Sequence, residues 1–176
     1  MGAGKTSVGR ALGQRLNWIF EDLDDRIERR EGRTVAAIFR DSGEQEFRRA
    51  EHDALKEALN EMGASRIIAL GGGAFVQANN AVLLKGSGAP TVFLDADVDE
   101  LWQRCSTQAR EAGAQRPLLR DPQQFRQLHG DRRKSYAKAF LRIQTSNRSV
   151  DQIAAEIEKK LSLKQIEIRV EQGETE

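Results

Sequence analysis

Met1-Gly2-Ala3-Gly4-Lys5-Thr6-Ser7-Val8-Gly9-Arg10-Ala11-Leu12-Gly13-Gln14-Arg15-Leu16 opens the chain, and the rest of the fold is read outward from it. Gly4-Lys5-Thr6 completes the phosphate-loop pattern G-x-x-x-x-G-K-[ST] except for its first glycine, which falls before Met1. Glycines suit such a loop because a phosphate must come close to the backbone, where successive N–H groups and a helix N-terminus offer donors and positive potential. Lys5 adds a mobile charge for phosphate oxygens, and Thr6 places a hydroxyl where a divalent cation sits. Val8, Leu12 and Leu16, with Ala11 beside them, form the apolar stripe of a helix that starts near Thr6. A loop of this kind follows a central β-strand. No residues precede Met1 to form that strand, so the expectation is a sheet whose first strand is missing or truncated, with the authentic start upstream.

Downstream, apolar runs at residues 18–20, 66–70, 91–94 and 141–145 alternate with helical stripes, which predicts an α/β fold: a parallel sheet with helices on both faces. Residues 18–20 deliver Glu21, Asp22, Asp24 and Asp25 to the carboxyl end of their strand. Asp22 and Asp24 are expected to point to opposite sides of an extended chain and so to serve different partners. Gly43 breaks the pattern before a longer amphipathic helix containing Phe47, Ala54, Leu55, Ala58, Leu59 and Met62. The strand ending at Leu70 runs into Gly71-Gly72-Gly73, which continues neither strand nor helix. A final helix spans about 149–161. At 176 residues the chain fits one domain, read as residues 1–162, followed by a C-terminal tail at 163–176. The 28 Lys and Arg nearly cancel the 27 Asp and Glu, so no overall field attracts nucleic acid or a membrane surface. One cysteine, Cys105, and the lack of a long apolar run or signal-like start point to a cytoplasmic protein, with a monomer as the working expectation.

Taken in order, these segments resemble the shikimate kinases, P-loop enzymes related to the nucleoside-monophosphate kinases. Phe20-Glu21-Asp22-Leu23-Asp24 is similar to the family's D-x-D, Gly43-Glu44-Gln45-Glu46-Phe47-Arg48-Arg49-Ala50-Glu51 to its G-E-x-x-F-R-x-x-E, the glycine triplet to its third motif, and Arg116-Pro117-Leu118-Leu119 to its mobile lid. The resemblance implies transfer of the ATP γ-phosphate to the 3-hydroxyl of shikimate, with Mg²⁺, in aromatic amino-acid biosynthesis by way of chorismate. It implies an ATP site from Gly2, Ala3, Gly4, Lys5, Thr6 and Ser7, with Arg104 beside the adenine and Arg116 reaching the phosphates from the lid. Thr6 and Asp22 would hold the metal. Asp24, Arg48, Gly71, Gly72, Gly73 and Arg132 would bind shikimate, with Glu51 orienting Arg48, and Lys5, Asp24 and Arg116 would carry the chemistry. Arg133, next to Arg132, is the other candidate for the second carboxylate-binding arginine. A gluconate kinase shares the loop and sheet but is not expected to carry F-R-x-x-E and R-P-L-L here. A GTPase switch needs N-K-x-D and D-x-x-G, and the sequence has neither. A nucleotide- or shikimate-binding module without turnover is the remaining alternative, because of the incomplete phosphate loop.

Overall fold

The computed structural model describes residues 2–61, 65–111 and 121–165. In chain order the elements are α1 (Lys5–Leu16), β1 (Ile19–Asp22), α2 (Leu23–Glu31), α3 (Val35–Asn60), β2 (Arg66–Ala69), a 3₁₀ turn (Ala74–Val76), α4 (Ala78–Gly86), β3 (Val92–Asp95), α5 (Val98–Glu111), α6 (Pro122–Tyr136), β4 (Leu141–Gln144) and α7 (Val150–Lys160). The alternation expected from the sequence is present, and both strand pairings are parallel, β1 with β2 from Ile19↔Arg66 and β3 with β4 from Val92↔Leu141.

Helices cover β2 from both sides, and the period of two along a strand explains how. Ile67 packs into a core with Val8, Leu12 and Leu16 of α1, Leu94, Ile143, and Ile153 and Ile157 of α7. Ile68, one residue on, packs into a different core with Leu23 and Ile27 of α2, Ile38, Phe47, Ala54 and Leu55 of α3, and Leu84 of α4. A third, smaller core joins α5 to α6 through Leu101, Cys105 and Phe125, with Trp102 edge-on to Phe125 at 5.3 Å between ring centroids.

The strands do not form one sheet. Among the described residues they make two separate pairs, β1–β2 and β3–β4. Between β2 and β3 runs a cavity of about 890 Å³, lined by residues 66–70 of one pair and 91–94 of the other, with Val8, Leu12, Leu55 and Ile157 from the flanking helices. Its walls are mostly apolar, and both inner strands face it with edges that no strand covers among the described residues. This is the place at which the sequence reading expects a missing strand.

Local chemistry sets the helix boundaries. Thr34 caps α3 by accepting from Ala37 N, Asp121 caps α6 ahead of Pro122, and Ser149 with Gln152 forms a full capping box on α7. Gly43 does interrupt its helix: α3 bends there at φ 80° and ψ 177°, and Phe39 and Phe47 stack across the bend with centroids 4.4 Å apart. Met62 and the tail from 166 onward lie outside the described residues.

The geometry of the acidic segment differs from the expectation at Asp22 and Asp24. The strand ends at Asp22, and Asp24 lies in the first turn of α2, so the two carboxylates do not share an extended chain. On a strand, residues two apart would have shared a face; the change from strand to helix is what separates them. Glu21 is not part of the site. It is buried and accepts from Arg26, Arg29 and Arg66, which ties β1 to α2 and to the start of β2.

Candidate active site

The phosphate loop leads directly into α1. Gly4 has φ 79°, a conformation that glycine adopts without strain, and from it the amides at the start of α1 are presented. A side chain at Gly2 would strike Sγ of Cys105 at 2.7 Å and come within 3.0 Å of the Leu101 carbonyl, so the loop is packed against α5. Arg104 stands beside Gly2 on that helix and is paired with Glu100, one turn earlier. Ser7 is exposed.

Thr6 Oγ1 donates to Asp22 Oδ2 at 2.8 Å, and the other Asp22 oxygen accepts from Asp24 N at 3.1 Å. Asp22 therefore serves as the cap of α2 while its second oxygen rests on the phosphate loop. A hydroxyl and a carboxylate, both hard oxygen donors, fit a magnesium ion that takes its remaining ligands from phosphates and water. Among the described residues no group of three or more His, Cys, Asp or Glu offers an all-protein metal cage.

Lys5, first residue of α1, is partly buried, and that burial lowers its pKa while Asp22 and Asp24 push it up and Arg132 pushes it down. These influences place α1, the start of α2 and the end of α6 around one centre. Asp24 is pushed up to about 6, first by burial and then by the charges of Asp22 and Glu51, with Lys5 opposing. Glu51, only 1% exposed, is also shifted upward by burial, against the pull of Arg48.

Arg48 is held by two carboxylates of its own helix, Nη1 to Glu51 Oε2 at 2.8 Å and Nη2 to Glu44 Oε1 at 3.0 Å. The glycine segment lies directly against this pair. A Cβ on Gly71 would stand 3.0 Å from Asp24 Oδ1 and 3.2 Å from Glu51 Oε1, and one on Gly73 would overlap the Arg48 guanidinium. Neither glycine is in the left-handed region, so what they provide here is room. The two oxygens facing Gly71, Asp24 Oδ1 and Glu51 Oε1, are buried and accept no hydrogen bond in the structure. Bare buried acceptors are costly unless something donates to them. A polyol placed against the glycine backbone supplies such donors.

The Arg132 and Arg133 alternatives separate clearly. Arg133 donates to Asp95 at the end of β3, with Nη2 to Oδ2 at 2.9 Å. Arg132 is half-buried, and its charge acts on Lys5, Glu51 and Tyr136. Tyr136 in turn donates to the carbonyl of Gly72. The structure thus gathers Lys5, Thr6, Asp22, Asp24, Arg48, Glu51, the glycine segment and Arg132. Arg116 and the R-P-L-L segment lie outside the described residues. Glu51 as a second orphaned carboxylate and Tyr136 as a clamp on Gly72 carry no sequence signal beyond the F-R-x-x-E and R-x-x-x-Y spacings.

The electrostatics yield a prediction with a definite sign. The pKa of Asp24 is higher folded than its ordinary 3.8, so the fold favours its protonated form and loses stability as pH rises from about 4 through about 6. Asp24→Asn is expected to melt a few degrees above wild type at about pH 7.5, with the gap closing near pH 4.5, and to lose phosphate transfer. Thermal melts across this range check it; a gap that is absent, or that widens in acid, contradicts the burial argument.

Comparison with known proteins matches this arrangement to one family. A sequence model described as shikimate kinase matches residues 1–162. Shikimate kinase of Symbiobacterium thermophilum is 41% identical over 165 residues, covering 92% of this chain and 91% of that protein. Shikimate kinase of Cereibacter sphaeroides is 39% identical over 165 residues, 92% of this chain and 79% of that protein. Among solved structures, shikimate kinase from Acinetobacter baumannii in complex with shikimate aligns with a TM-score of 0.81 at 36% identity, over 92% of this chain and 89% of that one. Among the described residues no helix is long and apolar enough to cross a membrane.

Proposed function

The chain belongs to the shikimate kinase family and is an ATP-dependent kinase, and we propose on that premise that it transfers the γ-phosphate of ATP to the 3-hydroxyl of shikimate. The observation that carries the acceptor side is the pair of bare carboxylate oxygens, Asp24 Oδ1 and Glu51 Oε1, facing one point beside Gly71, with the Arg48 guanidinium against Gly73. Shikimate offers hydroxyl donors for such oxygens and a carboxylate for Arg48 and Arg132, whose planar forks match it.

In this reading the loop amides and Lys5 hold the β and γ phosphates. Thr6 and Asp22 would hold Mg²⁺, which would supply positive charge to offset that developing on the phosphate. Asp24 orients the attacking hydroxyl. The oxygen at C3 forms a bond to the γ-phosphorus as the bond to the β,γ-bridging oxygen breaks, ADP leaves, and the hydroxyl proton passes to the Asp24 carboxylate. A pKa near 6 leaves Asp24 ionised at neutral pH while making it a better proton acceptor than an ordinary aspartate. Arg116 would bring a further cation from the lid as charge develops.

ADP release measured with shikimate, with gluconate, and with no acceptor tests the proposal. Shikimate alone is expected to support turnover, and EDTA to abolish it. ATP and shikimate binding without transfer in a single turnover would show a binding module, and gluconate turnover a different kinase.

A further inference from the structure

Asp95 belongs to none of the motifs above, yet it is 3% exposed, charged, and placed at the carboxyl end of β3. Its carbonyl accepts from Thr145 N at 2.7 Å and Thr145 Oγ1 at 3.1 Å, which fixes its backbone to the end of β4. Its carboxylate accepts from two arginines of different elements. Arg142 Nε reaches Oδ2 at 2.7 Å from β4, while Arg133 reaches Oδ2 with Nη2 at 2.9 Å and Oδ1 with Nε at 3.3 Å from α6. The two cations outweigh burial and hold its pKa below the usual carboxylate range, so it is a fixed anion.

The consequence falls on α6. Successive residues of a helix point about 100° apart. Fixing Arg133 on Asp95 therefore sets the direction of its neighbour Arg132, which is half-buried and whose charge acts on Lys5, Glu51 and Tyr136. Tyr136, at the helix end, is held by Gly72 and by the Phe93 ring at 5.4 Å. We propose that Asp95 is a positioning residue for substrate binding: by holding Arg133 it sets the rotation of the last turn of α6 and aims Arg132 at the acceptor's carboxylate. This rests on the reading of Arg132 as a shikimate ligand. Arg142 makes the same kind of ion pair from β4 and so serves as an internal control, since it shares the carboxylate but cannot turn α6.

Steady-state kinetics with both substrates test the proposal on Arg132→Ala, Asp95→Asn, Arg133→Gln and Arg142→Gln. Arg132→Ala is expected to raise KM for shikimate about 100-fold. Asp95→Asn and Arg133→Gln should each raise it about 5- to 20-fold with KM for ATP within about twofold, and the double variant should be no worse than either single one. Arg142→Gln should stay within about twofold for both substrates. Arg133 is exposed, so its variant tests the idea even if the buried Asp95 change impairs folding. A normal KM in Arg132→Ala overturns the reading of Arg132 and the proposal with it. A defective Arg132→Ala beside a normal Arg133→Gln, or an Arg142→Gln defect as large as that of Arg133→Gln, overturns the positioning role alone.

Discussion

Arg48→Ala is expected to raise KM for shikimate by about two to three orders of magnitude while KM for ATP changes less than about threefold. Removing one partner of a buried, charge-assisted pair costs roughly 2 to 5 kcal/mol, and tenfold corresponds to about 1.4. The structure adds a second contribution. Glu51 is 1% exposed and its cation is Arg48, so truncation leaves a buried carboxylate without that partner and pushes its pKa further up. Arg48→Lys separates the two effects, since it keeps a charge near Glu51 but loses the planar fork; its KM should fall between those of wild type and Arg48→Ala. Equal losses for ATP and shikimate would remove Arg48 from the acceptor site.

A chain extended ahead of Met1 by about five apolar residues and a Gly-x pair is expected to melt about 10 to 20 °C higher and to bind Mg·ATP more tightly. The cavity between β2 and β3 has a strand edge on either side and apolar side chains above and below. A parallel strand placed there pairs with both edges. Each buried backbone group left without a partner costs about 1 to 3 kcal/mol, and each kcal/mol is worth about 2 to 4 °C in a domain of this size. The added glycine also completes the phosphate loop, which makes nucleotide affinity a second and independent readout. If both forms melt together and titrate alike with Mg·ATP, the two sheets are stable apart and the cavity is not a strand site.

What the sequence made legible follows from where its signals are strong. Val8–Leu12–Leu16 could be read because a helix buries a regular stripe, and the apolar run at 66–70 because Ile67 and Ile68 are packed into cores on opposite faces of β2. Two helices carried too little pattern. In α4 only Asn80 and Leu84 are buried, and in α6 only Phe125, so most of their side chains face water and leave no apolar period. The candidate site residues at 5, 6, 22, 24, 48 and 71–73 were legible through motifs with fixed spacing. Asp95 was not, because its partners come from separate segments: Arg133 lies 38 residues away and Arg142 lies 47. Ion pairs at that range have no local spacing to read. Asp22 and Asp24 have no single period to read, since a strand that turns at once into a helix changes period between the two residues.

The bend in α3 raises a question of handedness. A methyl group at Gly43 would meet nothing within 4 Å, so space does not demand glycine; the φ of 80° does. An L-alanine there is strained, whereas its mirror image is at ease and also reduces the freedom of the unfolded chain. A chemically synthesised domain with D-alanine at 43 should keep Phe39 stacked on Phe47 and melt higher than the natural chain. The L-alanine version should pull the helix toward straightness, parting those rings and carrying Glu44 and Arg48 away from the glycine segment. The aim of Arg48 is thus governed by stereochemistry at a residue with no side chain.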